Sequence, residues 1–249
     1  MYQAVTPRAT VGRIGPRPAP AEAARTEAPQ RRAAAATIVI GALASLATLV
    51  LVGLLITNVL AHGTVGHWDE ASTRWLATHR DSGLDAVTHV LSRSADTIGI
   101  IAAAVIVAIV VAFRRRWDHL AILVTGLVLE LSVFISVNFI VGRPRPSVER
   151  LGATPTTGSF PSGHTAATLV LYATIALIVS ETARSLVWLT LTRLAAVLMP
   201  VAVGFARVYR GFHHPTDVFF GVLLGCAALF IAIVAVRRWA PPRVQEEVR

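Results

Sequence analysis

Six long apolar runs constrain the fold of this 249-residue chain more than any other feature of its sequence. Each is close to the roughly 20 apolar residues with which a helix crosses a bilayer. A composition that is 54% hydrophobic and 15% charged also favours an integral membrane protein over a soluble globule. We therefore predict an all-α integral membrane fold, a bundle of six transmembrane helices. The runs extend over residues 33–61, 97–113, 119–141, 164–179, 186–206 and 218–236.

The remaining segments divide the chain into a membrane domain and two tails. Residues 1–32 are rich in Ala, Pro and Arg without apolar periodicity, which is typical of a disordered tail. Residues 33–239 form the predicted six-span domain, and residues 240–249 form a second tail. Between spans one and two, residues 62–97 alternate polar and apolar positions at roughly helical spacing. This region predicts one or two short interfacial helices.

The distribution of arginine predicts the orientation of the bundle. The chain has no lysine, and fourteen of its arginines lie in the two tails and in the turns after spans two and four. Eight lie in the other three connecting segments. Because arginine-rich loops stay in the cytoplasm, both termini are expected there, in a multi-pass protein of the cell (inner) membrane. The loops of residues 142–163 and 207–217 are then extracytoplasmic.

The net charge of +9 raises the question of a nucleic-acid partner. The arginines lie mainly in tails, short loops and span ends, and no basic patch carries interleaved aromatic residues. We therefore expect membrane lipids as partners, and no nucleic acid.

The two extracytoplasmic loops combine residue types that bind and attack a phosphate group. Arginine forks match phosphate oxygens and stay charged at physiological pH. Free backbone N–H groups favour an anion at Ser162-Gly163-His164, where the fourth span begins. Histidines supply a nucleophile and an acid that titrate near neutral pH. The candidates in these loops are Arg143, Arg145, Ser162, His164, Arg207, Arg210, His213, His214 and Asp217.

Pro215 predicts where the last span begins, because proline favours the first position of a helix. His214 would then be the cap, with Asp217 in the first turn. From there Asp217 can reach back to one ring nitrogen of His213. Such a contact would fix the tautomer and leave the other nitrogen free to attack.

Two other readings of these residues are less favoured. By ligand type, a metal could be held by His164, His213, His214 and Asp217. The flanking arginines would repel a cation, so we expect neither a metal nor another cofactor. Ser162 would be an acyl-transfer nucleophile only within a nucleophile elbow, and the surrounding residues lack that pattern.

Three motifs in the loops resemble the type 2 phosphatidic acid phosphatase superfamily, which includes lipid phosphate phosphatases and is related to vanadium-dependent haloperoxidases. The family pattern is Lys-x6-Arg-Pro, then Pro-Ser-Gly-His, then Ser-Arg-x5-His-x3-Asp. The chain reads NFIVGRPRP over residues 138–146, PSGH over residues 161–164 and ARVYRGFHHPTD over residues 206–217. The motifs follow the family's order, and the resemblance extends over roughly residues 33–238.

The resemblance implies metal-independent hydrolysis of a lipid phosphate or a prenyl diphosphate. His213 would form a phosphohistidine, Asp217 would orient it, and His164 would protonate the leaving group and later activate water. Phosphatidic acid, phosphatidylglycerol phosphate and a prenyl diphosphate carrier are the implied candidate substrates. The residues that would hold the phosphate oxygens are Arg145, Arg207, Ser162 and Gly163.

Two positions depart from the family pattern. Ala206 stands where the family usually has serine, and Asn138 stands where it has lysine. Asparagine donates a hydrogen bond but brings no charge, so less transition-state charge would be stabilised. We hypothesise that Arg143 lends the missing cation, so that Asn138 and Arg143 both contact the phosphate. The alternatives are a phosphotransferase that uses the same phosphohistidine, and a weakly active or inactive protein that binds lipid phosphates.

Two charged residues lie within the predicted spans, Glu130 in the third and Arg193 in the fifth. Charges at such depth are costly and are usually paired or functional. We predict a structural Glu130–Arg193 ion pair in preference to a proton path.

Overall fold

Eight α-helices make up residues 20–153 and 156–239, the part of the chain that this computed structural model describes. A single 3-10 turn, Leu60–His62, joins the first helix to the second in this part. The predicted all-α class is confirmed. The helices are α1 (Pro20–Asn58), α2 (Thr64–Thr78), α3 (Ser82–Ser94), α4 (Thr97–Phe113), α5 (Trp117–Val141), α6 (Gly163–Thr182), α7 (Leu186–Tyr209) and α8 (Pro215–Trp239).

Five of these helices are long and apolar enough to cross a membrane, namely α1, α5, α6, α7 and α8. The 17-residue α4 qualifies only together with α3, from which it is bent by 56°. Asp96, between the two helices, is the N-cap of α4, because its carboxylate accepts a hydrogen bond from the Gly99 N–H at 2.8 Å. The result is a multi-pass membrane bundle of five to six spans, as predicted.

The predicted tails lie mostly outside the described residues. Residues 1–19 and 240–249 are outside them, and α1 begins at Pro20, before the expected boundary at residue 33. The proposed division into a membrane domain and two tails therefore stays a prediction.

The interfacial helices α2 and α3 occupy the segment that predicted them, and they are anchored to the end of α7. The Tyr209 hydroxyl donates to the Asp85 carboxylate at 2.9 Å. Arg80 Nη2 donates to the Tyr209 carbonyl, also at 2.9 Å. These contacts hold the interfacial helices over the end of the bundle where α7 leads into the second polar loop.

An apolar core between α1, α5, α6 and α8 fixes the start of α6 against α8. Small residues allow this close approach, as is common between membrane helices. A Cβ atom at Gly221 would lie 2.5 Å from the Ser162 carbonyl oxygen, and one at Gly225 would lie 2.8 Å from that of Ala166. The segments that carry PSGH and HHPTD are thereby brought together. Core side chains include Leu49, Val137, Phe160, Val170 and Leu224.

The predicted ion pair between Glu130 and Arg193 does not form. Glu130 is 3% exposed on α5, and its Oε1 has no hydrogen-bond partner. Arg193 is exposed on α7. The prediction was wrong because α5 packs against α1, α4, α6 and α8, whereas α7 packs mainly against α6 and α3. Hydropathy gives the depth of a charge in a span but not the helix that it faces.

Candidate active site

The two polar loops meet at one end of the bundle. Arg145 in the first loop donates through Nη1 to the carbonyl of Phe212 in the second, at 2.5 Å. Below this contact, the Ser162 N–H donates to the Asp217 carbonyl at 2.9 Å. The loop between α5 and α6 and the loop between α7 and α8 therefore form one surface.

His213 lies in the second loop with its ring almost completely buried. Its Nδ1 is 2.7 Å from the Ser159 carbonyl oxygen and 3.7 Å from the Asp217 carboxylate. Because a carbonyl only accepts, we assign the proton to Nδ1 and leave Nε2 unprotonated. Burial lowers the pKa of His213 to about 4, an effect that Asp217 partly offsets and Arg207 reinforces. The ring is therefore neutral at neutral pH, as a nucleophile requires.

Asp217 is completely buried and joins an ion-pair chain that ends on α2. One of its oxygens accepts from Arg143 Nη1 at 2.5 Å, and the other accepts from the His214 N–H at 2.8 Å. Arg143 Nη2 donates to Asp69 at 2.8 Å. Asp69 also accepts from the backbone N–H and the hydroxyl of Thr216. The chain of Asp217, Arg143 and Asp69 thus ties α8, the first loop and α2 together.

Arg143 and Asn138 do not take the positions that the sequence predicted for them. Arg143 is 4% exposed, and two aspartates engage its guanidinium group. Asn138 donates its amide to the carbonyls of Gly158 and Phe160 at 3.0 and 3.2 Å. Both side chains therefore hold the first loop, and Arg143 is not the replacement cation that we expected to contact the phosphate. The reason is Asp69, a buried partner that the motifs do not reveal.

Two guanidinium groups remain beside His213. Arg207, at the end of α7, stacks on the Phe212 ring with its Cζ 4.2 Å from the ring centroid. Its Nη1 donates to Ser92 at 3.0 Å, while its buried Nε has no partner. Arg145 is half-buried and donates to carbonyl oxygens of the loops, including that of Gly158 at 2.9 Å. Arg207 thus offers an unused, buried N–H donor to a ligand.

Burial and neighbouring arginines lower the pKa values of guanidinium groups around the site. Burial lowers the pKa of Arg145, which Asp217 partly offsets and Arg150 lowers further. Burial likewise lowers the pKa of Arg210, an effect that Asp85 partly offsets and Arg80 reinforces. A bound anion with two negative charges would relieve this repulsion, because an opposite charge nearby favours the charged form of arginine.

The PSGH turn begins α6. Ser162 is completely buried, and its hydroxyl lies 3.0 Å from that of Thr165. Because the Ser162 N–H already bonds to the Asp217 carbonyl, the donors left at this helix start are the N–H groups of Gly163, His164 and Thr165. Phe134 packs so tightly here that a Cβ at position 163 would lie 3.0 Å from its ring. Glycine at position 163 therefore permits the close packing of Phe134 against the start of α6.

His164 lies between the polar site and an apolar cavity. Its side chain is half-buried and has no hydrogen-bond partner among the described residues. Arg207, Arg145 and the His213 ring lie within electrostatic reach of the His164 ring, and His164 also lines a cavity of about 340 Å³. This ring is therefore available to a leaving group that enters from the cavity.

A group of metal-ligand type lies at the opposite end of the bundle. His119 Nε2 is 3.1 Å from Glu181, and His119 Nδ1 is 3.3 Å from Asp118. Arg116 is 3.7 Å from the same Glu181 carboxylate, so an ion pair and the His119 contacts join the start of α5 to the end of α6. Over residues 20–153 and 156–239, no other histidine, aspartate and glutamate atoms cluster closely enough to hold a metal. The alternative metal set around His213 forms no such group.

Six of the predicted residues lie at or next to the His213 site, while Asn138, Arg143 and Ser162 form hydrogen bonds that hold the surrounding loops and helix starts. Sequence reasoning missed Asp69 and the Ser159 carbonyl. Asp69 carried a weak signal, an acidic residue in an interfacial segment. A backbone carbonyl has no residue-type signal at all. The six are His164, His213, Asp217, Arg145, Arg207 and Gly163.

Solved structures define the class of this protein. One similar structure is the first transmembrane PAP2 type phosphatidylglycerolphosphate phosphatase from Bacillus subtilis, with a TM-score of 0.65 and 26% identity over 76% of this chain and 94% of that chain. Another is Aquifex aeolicus LpxE, with a TM-score of 0.51 and 24% identity over 67% of this chain and 93% of that chain. The second likeness concerns the fold alone. Together they define a PAP2-type membrane phosphatase fold.

The family follows from the sequence match. Residues 117–241 match the model of the PAP2 superfamily. The chain belongs to the PAP2 superfamily, and the resemblance drawn from the three motifs is confirmed. No curated protein matches the chain.

Proposed function

We propose that this protein is a metal-independent lipid phosphatase that works through a phosphohistidine on His213. The observation that carries the proposal is the free Nε2 of His213, whose Nδ1 is held by the Ser159 carbonyl at 2.7 Å beside the guanidinium groups of Arg145 and Arg207. The similar structure from Bacillus subtilis is named a phosphatidylglycerolphosphate phosphatase, which supports a lipid phosphate as substrate.

In the first step, His213 Nε2 attacks phosphorus, and the bond from phosphorus to the lipid oxygen breaks. Protonated His164 gives its proton to that oxygen, which leaves as an alcohol, or as a monophosphate when the substrate is a diphosphate. Arg145, Arg207 and the first N–H groups of α6 stabilise the charge on the phosphate oxygens. The nearby Asp217 carboxylate offsets the positive charge that forms on His213.

In the second step, His164 takes a proton from water, and the water oxygen attacks phosphorus. The bond between phosphorus and Nε2 breaks, inorganic phosphate leaves, and His213 returns to its neutral form. His164 therefore acts first as an acid and then as a base.

The decisive experiment incubates the detergent-purified protein with phosphatidic acid, phosphatidylglycerol phosphate and a prenyl diphosphate. We expect free phosphate from at least one lipid, at a rate that a chelator of divalent metals does not change. Substrate labelled in its phosphate should leave an acid-labile label on His213. Lipid consumption without free phosphate would favour phosphotransfer. Binding without consumption would favour an inactive lipid-phosphate-binding protein, the alternative raised by Asn138.

The active site is further proposed to face the extracytoplasmic side of the cell membrane, with both termini in the cytoplasm. The arginine distribution supports this orientation. Cys226 is the only cysteine of the chain, so a Cys226→Ser protein accepts single reporter cysteines. In intact cells, an impermeant maleimide should label Ser147→Cys beside the site but not Arg114→Cys at the other end. The reverse pattern would overturn the orientation.

A further inference from the structure

An apolar cavity of about 340 Å³ adjoins the site and lies between α4, α5 and α6. His164 lines the cavity, so the cavity and the His213 site share this residue. Ile101, Val105 and Leu131 line it with about half of their surface exposed, which leaves it open towards the bilayer. A lipid tail attached to a phosphate at the start of α6 would lie next to this space, because Gly163 and His164 line it.

Among the described residues that line this cavity, Glu130 is the only acidic one. It is 3% exposed, and it forms neither an ion pair nor a hydrogen bond with any described residue. A buried carboxyl group without a partner is unfavourable, and ionisable residues inside a membrane generally serve a function. The ligand that fills the cavity is therefore the candidate hydrogen-bond partner of the Glu130 carboxyl group.

The depth of Glu130 fits a particular part of a lipid. It lies four residues before Phe134, and this separation corresponds to about 6 Å along the axis of α5. The Phe134 ring packs against the start of α6 at Gly163. In a glycerolipid, about five bonds separate the phosphorus from the nearer ester carbonyl carbon. Three extended bonds span roughly 3.5 Å, so the distance between these two atoms is also about 6 Å. At the same depth a prenyl chain carries only carbon and hydrogen.

We propose that Glu130 donates a hydrogen bond to an ester carbonyl of the substrate and thereby selects a diacylglycerol-type phosphate over a prenyl phosphate. The inference rests on the proposed function and narrows its substrate class. No arginine is among the described residues that line the cavity, so the neutral acid is the less costly form of Glu130. The neutral acid has an O–H donor. A hydrocarbon tail would leave that donor unpaired, which is the basis of the selection.

Binding to the His213→Ala protein tests the inference without any turnover. Three ligands carry the same monophosphate: a diacylglycerol phosphate, its dialkyl ether analogue without carbonyl groups, and a prenyl phosphate. We expect the diacyl lipid to bind about tenfold more tightly than the ether, the effect of roughly one hydrogen bond. Equal dissociation constants for ester and ether would overturn the inference, and this comparison needs no change at position 130.

Variants then assign the preference to the side chain. Adding Glu130→Leu should weaken binding of the diacyl lipid about tenfold and leave the ether and prenyl lipids unchanged, whereas Glu130→Gln, which keeps a donor, should retain most of the preference. Val128→Leu, at an exposed position of α5, is the matched control. Equal weakening of all three lipids by Glu130→Leu would make Glu130 merely structural.

Kinetics of the unmodified protein separate this inference from the proposed function. Phosphate release with equal KM for ester and ether lipids refutes the role of Glu130 alone. No phosphate release from any lipid refutes the proposed function, while the binding preference can still be measured.

Discussion

Replacing His213 by glutamine is expected to lower kcat for phosphate release by about three orders of magnitude or more, the scale of losing a catalytic nucleophile. No other described residue near the site has a free, unprotonated nitrogen whose second ring nitrogen is held by a backbone carbonyl at 2.7 Å. The measurement is free phosphate from the preferred lipid, together with the label on the protein, which should disappear.

The neighbouring histidine provides the matched control. His214 is also buried, and its N–H rather than its ring contacts Asp217, at 2.8 Å. His214→Gln should therefore keep kcat within about tenfold, as expected for a residue without a chemical role. If His214→Gln lost as much activity as His213→Gln while both proteins remained folded, the assignment of the nucleophile would be wrong.

Replacing Asp69 by alanine is expected to lower both stability and kcat, although Asp69 lies on α2 rather than in the two loops. The change leaves Arg143 buried with one carboxylate instead of two. Breaking a buried ion pair in this way costs about 3–5 kcal/mol of unfolding free energy. Asp217 then loses its fixed position beneath His213, and we expect kcat to fall about a hundredfold, as for a misplaced catalytic group. Thermal unfolding in detergent and phosphate release measure the two effects.

The residue next to Asp69 gives the control. Glu70 bonds to the Ser147 hydroxyl at 2.8 Å on the exposed surface, so Glu70→Ala should change neither quantity appreciably. Changing Asp69 and Arg143 together should lower the unfolding free energy by less than the sum of the two single changes, because both residues belong to one network. If Arg143 instead gripped phosphate, freeing it from Asp69 would lower KM.

The sequence predicted the helices well because a membrane span is a local property. Pro215 begins α8 as expected, and the one weak span, α4, is also one of the shortest apolar runs. Which faces of the helices meet is not local. For that reason the pairing of Glu130 with Arg193 was wrong.

The motifs likewise predicted which residues come together around His213, but not which partners hold each of them. His213 was expected to rest on Asp217, and the nearer partner is the carbonyl of Ser159. Arg143 carries the positive charge that suits a phosphate-binding residue. Its side chain is instead bonded to Asp69, more than seventy residues away in sequence. Such contacts depend on the tertiary arrangement of α2 and the first loop, which neither spacing nor residue type encodes.

The contacts of α2 and α3 with the end of α7 bear on how much of the chain an active protein needs. The family match begins at residue 117. Yet Asp69 braces Arg143, Ser92 binds Arg207, and Asp85 receives the hydroxyl of Tyr209, all from upstream of that point. The part of the chain that matches the family carries the candidate reacting groups, and the part before it supplies side chains that hold them in place. A shortened protein that starts at α5 would retain every motif and lack the braces that orient them.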